Sequence, residues 1–387
     1  MATLESKHAP ATTSHARLRI QLGDVRKQIG PDRLDDILPL ARALGSPDIE
    51  RGVREEIGRL RAYGLGEAIS ELIELAKAIA PAGHRFEPLG LPGALMLFHV
   101  AGLTHLDPRG CLFSSDAWLP APDPVRPPAP WALPRSPTRH IGASVSMAPA
   151  DLLSFLRLRG YSLRTERLSY EKADGSTLCF DRVTARQYPS TPDHQALTVI
   201  VSTGIFARLA AAITPEGSMA CLRDTQTFHL LAAGDTDFIG PLRFAAMKKL
   251  LRQRKPQSLD ELADLLTEGG DAGYQPGHGE PPVYLEDLMR RFQGALGLDA
   301  DDARTLCESS GRGDFVNQHK AWLLERGASF GMTAGRADTL MALLGGLAKR
   351  KALPNRATVF PLAHACLRAA YLKAHYPEAF WAIVAAG

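Results

Sequence analysis

The chain has 387 residues, 45% of them hydrophobic, so it can bury a substantial core and is expected to fold as two or three lobes. Its net charge is only +3, so any nucleic-acid contact must rest on local basic clusters rather than on overall charge. Five cysteines without a C-x-x-C pair argue against a zinc ribbon and a disulfide framework and favour a reducing, cytoplasmic setting. Because no apolar run reaches the roughly 18 residues of a membrane span, the sequence predicts neither export nor insertion.

The first segment, residues 1–50, is interpreted as an N-terminal extension that is partly disordered and then helical. Apolar residues then recur at helical spacing from Gly64 to Ala80, which predicts an amphipathic helix. Prolines concentrate between Leu119 and Pro137, where they force an extended path and indicate a linker.

The middle of the chain, from Ala143 to Ser202, is expected to be α+β because it carries β-branched or alternating runs. The predicted strands are Tyr161 to Tyr170, Thr177 to Val183 and Leu197 to Ser202. Beyond Thr214 the chain is predicted to be almost entirely helical.

Local signals in this helical part mark helix ends and one loop. Ser258 and Glu261 form a capping box, and Pro377 is expected in the first turn of the final helix. The glycines and prolines of Gly269 to Pro282 indicate an exposed loop.

A basic stripe is predicted in the segment from Phe244 to Lys255, opposite an apolar face. Its members, spaced i, i+4 and i+7 so that they can follow phosphates, are Lys248, Arg252 and Lys255. A solvated outer face explains the same spacing. A second helical face combines a cation, a ring and two imidazoles, with packing and surface solvation as its alternative; its members are His364, Arg368, Tyr371 and His375.

Common catalytic signatures are missing from the sequence, which has no G-x-x-x-x-G-K-[ST], H-E-x-x-H or G-x-S-x-G. The adjacent acids Asp35-Asp36 and Asp301-Asp302 would point about 100° apart on a helix, so neither pair can hold a metal as an Asp-x-Asp strand can. Both pairs are expected to be exposed.

Several segments, in order from about Arg51 to the end, resemble the bacterial DNA polymerase III alpha subunit, the C-family DNA polymerase. Gly102 to Pro108 is similar to the G-I-T-x-x-D-P of the palm, and Ala370 to Pro377 matches A-Y-L-K-A-H-Y-P. The remaining similar segments are Arg139 to Gly142, Leu222 to Thr236 with Met247 to Leu266, Tyr274 to Gly277, and Val283 to Met289.

The departures from this family fall where polymerase chemistry would take place. The polymerases join nucleotides with two divalent cations held by carboxylates. Pro88 to Leu91 align with the phosphate-cradling G-R-G-S, Ser202 aligns with an expected aspartate, and the proline-rich linker stands where the other aspartates and the thumb are expected. In the family's F-N-K-S-H-A, only Asn355 and Arg356 keep an amide and a cation.

The resemblance therefore implies an α+β fold, with a small mixed palm-like lobe followed by a mostly α-helical fingers-like lobe. It implies palm remnants at 51–118 and 138–212, a linker at 119–137 and a fingers-like domain at 213–387. It also implies that the exonuclease-like domain, the thumb and the later DNA- and clamp-binding modules are missing.

The favoured interpretation is a catalytically silent protein that binds DNA or a replication, repair or mutagenesis partner, without a cofactor. Asn355 and Arg356 would be a nucleotide-binding remnant. The residues expected to contact DNA are Lys248, Arg252, Lys255, Arg356, Arg368 and Lys373.

Two alternatives remain open at the sequence level. The first is a minimal nucleotidyltransferase that binds Mg²⁺ through unrecognised acids, of which Asp181 and Asp193 are the nearest candidates. Neither has a second carboxylate two residues away, so no strand face would present two together. The second is a decaying gene product without a selected activity.

Overall fold

The computed structural model describes residues 17–22, 32–113, 115, 118–119, 140–171, 177–187, 197–202, 204–269, 284–310, 314–347 and 353–386. Within these ranges the chain is a mixed α+β protein and mostly helical, as the sequence predicted. The predictions for residues 1–16, most of the linker, the loop after Gly269 and Asp193 lie outside the described residues.

The strands of the described chain form one six-stranded sheet in the order β2-β3-β6-β1-β5-β4. The pairs β1/β5 and β3/β6 are parallel, and the other three neighbouring pairs are antiparallel. The strands are β1 Arg17–Leu22, β2 Phe86–Leu89, β3 His140–Val145, β4 Tyr161–Glu171, β5 Thr177–Gln187 and β6 Leu197–Ser202.

The predicted strands are confirmed as β4, β5 and β6, and β4 and β5 run further than expected. The sequence analysis did not identify β1, which comes from the segment interpreted as an extension. It lies inside the sheet, where Ile20 pairs with Val199 of β6 and with Ala185 of β5. Its sequence RLRIQL alternates polar and apolar residues, which is typical of a strand.

The α-helices of the described chain fall into three groups around three cores. They are α1 Leu38–Ala43, α2 Pro47–Ala62, α3 Gly66–Ile79, α4 Met96–Val100, α5 Pro149–Leu158, α6 Ile205–Ala211, α7 Pro215–Ala220, α8 Thr225–Ala233, α9 Ala245–Arg254, α10 Leu259–Gly269, α11 Leu285–Leu296, α12 Ala300–Ser309, α13 Phe315–Ser329, α14 Ala334–Leu347, α15 Arg356–His375 and α16 Pro377–Ala385. Short 3-10 helices lie at Leu34–Ile37, Ala80–Ala82, Leu91–Ala94 and Gly240–Arg243.

The first core lies between the sheet and helices α1 to α5, and we call this part the sheet lobe. The helix predicted for 64–80 is confirmed as α3, and its apolar face, with Ile69 and Leu72, is fully buried. Burial of such a face, at about 25 cal/mol per Å² of apolar surface, is what holds a short helix to a sheet.

The second core gathers helices α6 to α10, α15 and α16, which we call the helical lobe. The capping box predicted for α10 is confirmed in its first half, because Ser258 Oγ accepts from the Glu261 amide at 3.2 Å. The Glu261 carboxylate accepts from the amide of Gln257, one residue before Ser258, at 2.7 Å. Pro377 is the first residue of α16, as predicted.

The third core belongs to helices α11 to α14 and is centred on Leu288, Phe292, Leu306, Leu323 and Leu344. We call it the four-helix insert because the chain leaves the helical lobe after α10 and returns to it with α15. The region predicted as a single fingers-like domain thus contains two separate hydrophobic cores.

Helix α15 connects the sheet lobe to the helical lobe. Pro361 lies inside this helix and cannot donate the N–H bond that the Ala357 carbonyl would accept in an uninterrupted helix. The Gly90 amide, directly after β2, donates to that carbonyl instead at 3.1 Å. The proline therefore creates a docking point for the end of β2. None of the helices in the described ranges is long and apolar enough to cross a membrane.

Candidate nucleic-acid interface

The strongest local concentration of positive charge lies on α9 and its flanks. Between Arg243 and Lys255 the sequence has six lysines and arginines and no acid. Met247 and Leu251 bury one side of α9 in the helical lobe, so the polar side faces outward. Buried apolar residues on one side thus fix which residues of this helix meet solvent.

The three predicted cations of the stripe differ in what they contact. The Lys248 ammonium lies 2.6 Å from Asp237 Oδ1, and this hydrogen bond lowers the pKa of Asp237. The Arg252 Nε donates to the Ala233 carbonyl at 3.1 Å and so satisfies the end of α8. Lys255 is exposed in the left-handed conformation, with φ +47°, at the end of α9.

Lys249, which the sequence analysis did not select, is also exposed on α9. Within the described part of the chain, neither Lys249 nor Lys255 has an acidic partner within ion-pair distance. A ligand could therefore reach these two charges without breaking an ion pair among the described residues.

Exposed aromatic rings lie beside this basic helix. Phe238 and Trp381 are 38% and 47% exposed, and their ring centroids are 5.9 Å apart in an edge-to-face contact. Phe244, at the start of α9, is 56% exposed. Rings presented next to cations form the combination that binds unpaired bases and their phosphates.

The conformation of Phe238 is unusual, because a non-glycine residue with φ +66° is strained by roughly 1–2 kcal/mol. Its neighbours hold it there. Lys373 Nζ lies 2.6 Å from Asp235 Oδ1, and Lys248 holds Asp237. These two ion pairs flank the turn in which the Phe238 ring is exposed.

We define the basic-aromatic surface as this set of neighbouring side chains on α9, the 235–238 turn and α16. Its residues are Phe238, Phe244, Lys248, Lys249, Arg252, Lys255 and Trp381.

Two residues that were predicted to contact phosphate are buried inside the protein instead. Arg368 is only 1% exposed, and its Nη2 lies 2.7 Å from Glu87 Oε2 on β2. Lys373 is buried and bonded to Asp235. Because α15 runs between the lobes, both cations are interior, and neither is positioned to contact DNA.

The predicted face of His364, Arg368, Tyr371 and His375 passes from the interior to the surface. His364 is fully buried, whereas His375 is exposed and lies 2.9 Å from Asp224. This face of α15 is thus not a continuous surface, since only its last turn reaches solvent.

Asn355 and Arg356, the predicted nucleotide-binding remnant, lie at the start of α15. Asp287 accepts from the Arg356 guanidinium at 3.0 Å, and Glu286 accepts from the Arg356 amide at 2.9 Å. The guanidinium also stacks 4.4 Å from the centre of the Tyr284 ring. Because the Arg356 guanidinium already pairs with Asp287 and stacks on Tyr284, this end of α15 favours packing against α11 over attraction of a phosphate.

No group of three acids, histidines or cysteines is placed to hold a metal among the residues that the structure describes. Asp35 is exposed, as expected, and bonds Arg61. The other acidic pair was wrongly expected to be exposed, because Asp302 is buried at the start of α12. For Asp181 the structure describes only the backbone, within β5.

Sequence reasoning missed Phe238, Phe244 and Trp381 as candidate contact residues. Nothing in their spacing distinguishes them from core aromatics, since only the fold decides which side of an element faces solvent. Lys249 could have been selected, because it adjoins Lys248 in the same acid-free segment.

Comparisons with known proteins support part of the family resemblance that the sequence motifs indicate. No family model matches the chain. The chain is 26% identical to the DNA polymerase III subunit alpha of Thermotoga maritima over 184 residues, which are 41% of this chain and 21% of that protein. It is 25% identical to the DNA polymerase III subunit alpha of Aquifex aeolicus over 197 residues, which are 42% of this chain and 16% of that protein. These partial similarities support a distant relationship to DNA polymerase III alpha subunits.

Proposed function

We propose that this chain is a polymerase III alpha-like protein that binds DNA without polymerising it. In this proposal the sheet lobe is the remnant of a palm and the helical parts are the remnant of fingers. The observation that carries DNA binding is the basic-aromatic surface, where Lys249 and Lys255 lack acidic partners among the described residues and Phe238 and Trp381 expose their rings.

Single-stranded DNA, or the single-stranded part of a primed template, is the form that this surface fits best. Only unpaired bases can stack on side-chain rings, while cations along α9 neutralise the phosphates between them. A purely duplex ligand would leave the exposed rings without a role.

The lack of polymerase activity is supported by the residues at the expected metal and phosphate positions. Leu89, Leu91 and Ser202 stand where the resemblance calls for an arginine, a serine and an aspartate. Without these groups the two-metal reaction has neither its carboxylate ligands nor its phosphate cradle. A protein partner in replication or repair is compatible with the same scaffold.

The stacking contribution is tested with Trp381→Ala in a fluorescence anisotropy titration of labelled single-stranded DNA. We expect the affinity to fall about fivefold or more, because stacking is worth about 1–3 kcal/mol per base. Phe330→Ala is the matched control, since it removes an exposed ring from the four-helix insert. Equal affinity of the Trp381 variant and the unaltered protein would remove the aromatic part of the proposal.

Primer extension with Mg²⁺ or Mn²⁺ and labelled nucleotides tests the proposed lack of polymerase activity. We expect no templated incorporation above a buffer control. Incorporation would instead establish the nucleotidyltransferase alternative and direct the search for metal ligands to Asp181 and Asp193.

A further inference from the structure

A cavity of about 50 Å³ lies between the sheet lobe and the helical lobe, bounded by β2, β3, α6 and α15. One end is polar, with Arg85, Glu87, Arg368 and two serines, Ser144 and Ser146. The other end is lined by Phe206 and alanines of α6 and by residues of α15. Since one water needs roughly 10–15 Å³ by such a measure, the space holds about four water-sized groups, which is comparable with the four oxygens of one tetrahedral oxyanion.

The polar end carries unbalanced positive charge. The guanidiniums of Arg85 and Arg368 face a single carboxylate, that of Glu87, among the described residues that line the cavity. Glu87 pairs with Arg368 at 2.7 Å, whereas Arg85 bonds only neutral groups, the His105 Nε2 and the Ile213 carbonyl. Among the described residues that line the cavity, two guanidiniums therefore share one carboxylate.

The pKa shifts of Arg85 and Glu87 agree with this excess of positive charge. Burial, and then the neighbouring Arg368, lower the pKa of Arg85. Although burial opposes ionisation of Glu87, Arg368 holds the pKa of this carboxyl below its usual value. The Glu87 carboxylate is thus ionised at neutral pH, and its single negative charge acts on both Arg368 and Arg85.

Two histidines border the cluster without changing its charge at neutral pH. Burial, followed by repulsion from Arg368, lowers the pKa of both His105 and His364 to about 4. The His364 Nε2 lies 2.9 Å from the Ser218 carbonyl and donates to it. Both imidazoles are therefore neutral at neutral pH and add no further positive charge to the cluster.

Hydrogen bonding is also incomplete at this end. The Nε of Arg368 is buried and has no acceptor within the described part of the chain. A buried donor without an acceptor costs roughly 1–3 kcal/mol. An oxyanion beside the guanidinium would supply that acceptor and the missing negative charge together.

We infer that this cavity binds a phosphate group, either as inorganic phosphate or as the terminal phosphate of a nucleotide, held by Arg85 and Arg368. Tetrahedral oxyanions match both the size of the space and the forked donors of arginine. The site adjoins the position of the G-R-G-S cradle, since Leu89, which stands at the cradle's arginine, also lines it. Its cations differ from those of the cradle, because they come from positions 85 and 368.

The test is a calorimetric titration of the full chain with inorganic phosphate and, separately, with thymidine monophosphate at constant ionic strength. We expect saturable binding of at least one of the two. In the Arg85→Gln variant, which leaves the Glu87–Arg368 pair in place, affinity should fall about tenfold or more because a charged hydrogen-bond donor is lost.

A second variant keeps the inference testable if Arg85→Gln does not fold. Ala207→Leu, on α6, fills the cavity without changing any charge and should abolish binding. The control is the double variant Lys249→Gln with Lys255→Gln, which should retain phosphate binding while weakening DNA binding. This control separates the cavity from the basic-aromatic surface.

The outcomes distinguish the two sources of phosphate. Binding of inorganic phosphate alone identifies a free-ion site, and binding of thymidine monophosphate alone identifies a terminal-phosphate site. If neither ligand binds at millimolar concentration, or if binding is unchanged in Ala207→Leu, the inference is wrong.

Discussion

Glu56 is a buried carboxyl that holds a helix in place at a cost that depends on pH. Its two oxygens accept from the backbone amides of Met96 and Leu97 at 3.1 and 2.9 Å, at the start of α4. Burial raises the pKa of Glu56 to about 7, although these hydrogen bonds lower it. The folded protein therefore binds a proton here that the unfolded chain releases at lower pH.

This pKa shift predicts that Glu56 makes stability fall as pH rises from 4.5 to about 7, the interval between its usual and folded pKa. Its contribution is fully present below pH 4.5 and lost above about 7, a change on the order of 3 kcal/mol. Glu56→Gln should remove this dependence because the amide does not titrate.

The measurement is urea denaturation of the unaltered protein and of Glu56→Gln at several pH values. Taking the difference cancels the titration of His105 and His364, which acts in the opposite direction. Glu55→Gln, at the exposed neighbouring position, is the control. A constant difference across the pH range would show that Glu56 keeps an ordinary pKa.

Sequence patterns predict individual elements where the pattern and the environment agree. The helix α3 was identified from apolar residues at helical spacing, and the strands β4 to β6 were identified from β-branched, alternating or apolar runs. Strands β2 and β3 were missed: β2 is only four residues long and carries Pro88, and β3 contains Gly142. Their place in the sheet depends on pairing with each other and with β6, which local sequence does not encode.

Helix α15 shows how a distant residue completes a helix end. Its first residues follow Asn355, whose side chain makes no capping bond. Glu286 of α11 instead accepts from the amides of Arg356 and Ala357 at 2.9 and 3.2 Å. The capping residue thus lies about 70 positions away, beyond the reach of any local motif.

Removing this cap is predicted to destabilise the protein. Glu286→Ala leaves the part-buried amide of Arg356 and the buried amide of Ala357 without this acceptor and should lower the free energy of unfolding by about 2–4 kcal/mol. Glu286→Gln keeps one acceptor oxygen, so its loss should be about half as large.

Chemical denaturation of the two variants measures both losses, with Glu325→Ala at an exposed site of α13 as control. A loss in Glu286→Ala no larger than that of the control would mean that water satisfies the start of α15.

At the scale of the whole molecule, the candidate interface depends on placement and not on total charge. Lys248, Arg252 and Lys255 were predicted from helical spacing, which is local, and the structure exposes Arg252 on α9 and Lys255 at its end. Arg368 and Lys373 were misassigned because the same spacing gives no information on which lobe covers a helix. The exposed rings were missed for the same reason, and the cavity between the lobes needs residues from positions 85 to 368, which only the complete fold assembles.

Salt dependence separates a local interface from general attraction to a polyanion. If Lys248, Lys249, Arg252 and Lys255 each neutralise one phosphate of single-stranded DNA, the logarithm of the affinity should fall with the logarithm of salt with a slope of about −3. Lys249→Gln with Lys255→Gln should reduce this slope by about 1.4, since two phosphate contacts are lost.

The control, Arg51→Gln with Lys77→Gln, removes the same charge from exposed sites of the sheet lobe and should leave the slope unchanged. Anisotropy titrations across a salt series measure all three slopes. Equal reductions in both double variants would assign binding to net charge, whereas a reduction confined to the α9 variant places the phosphates along that helix.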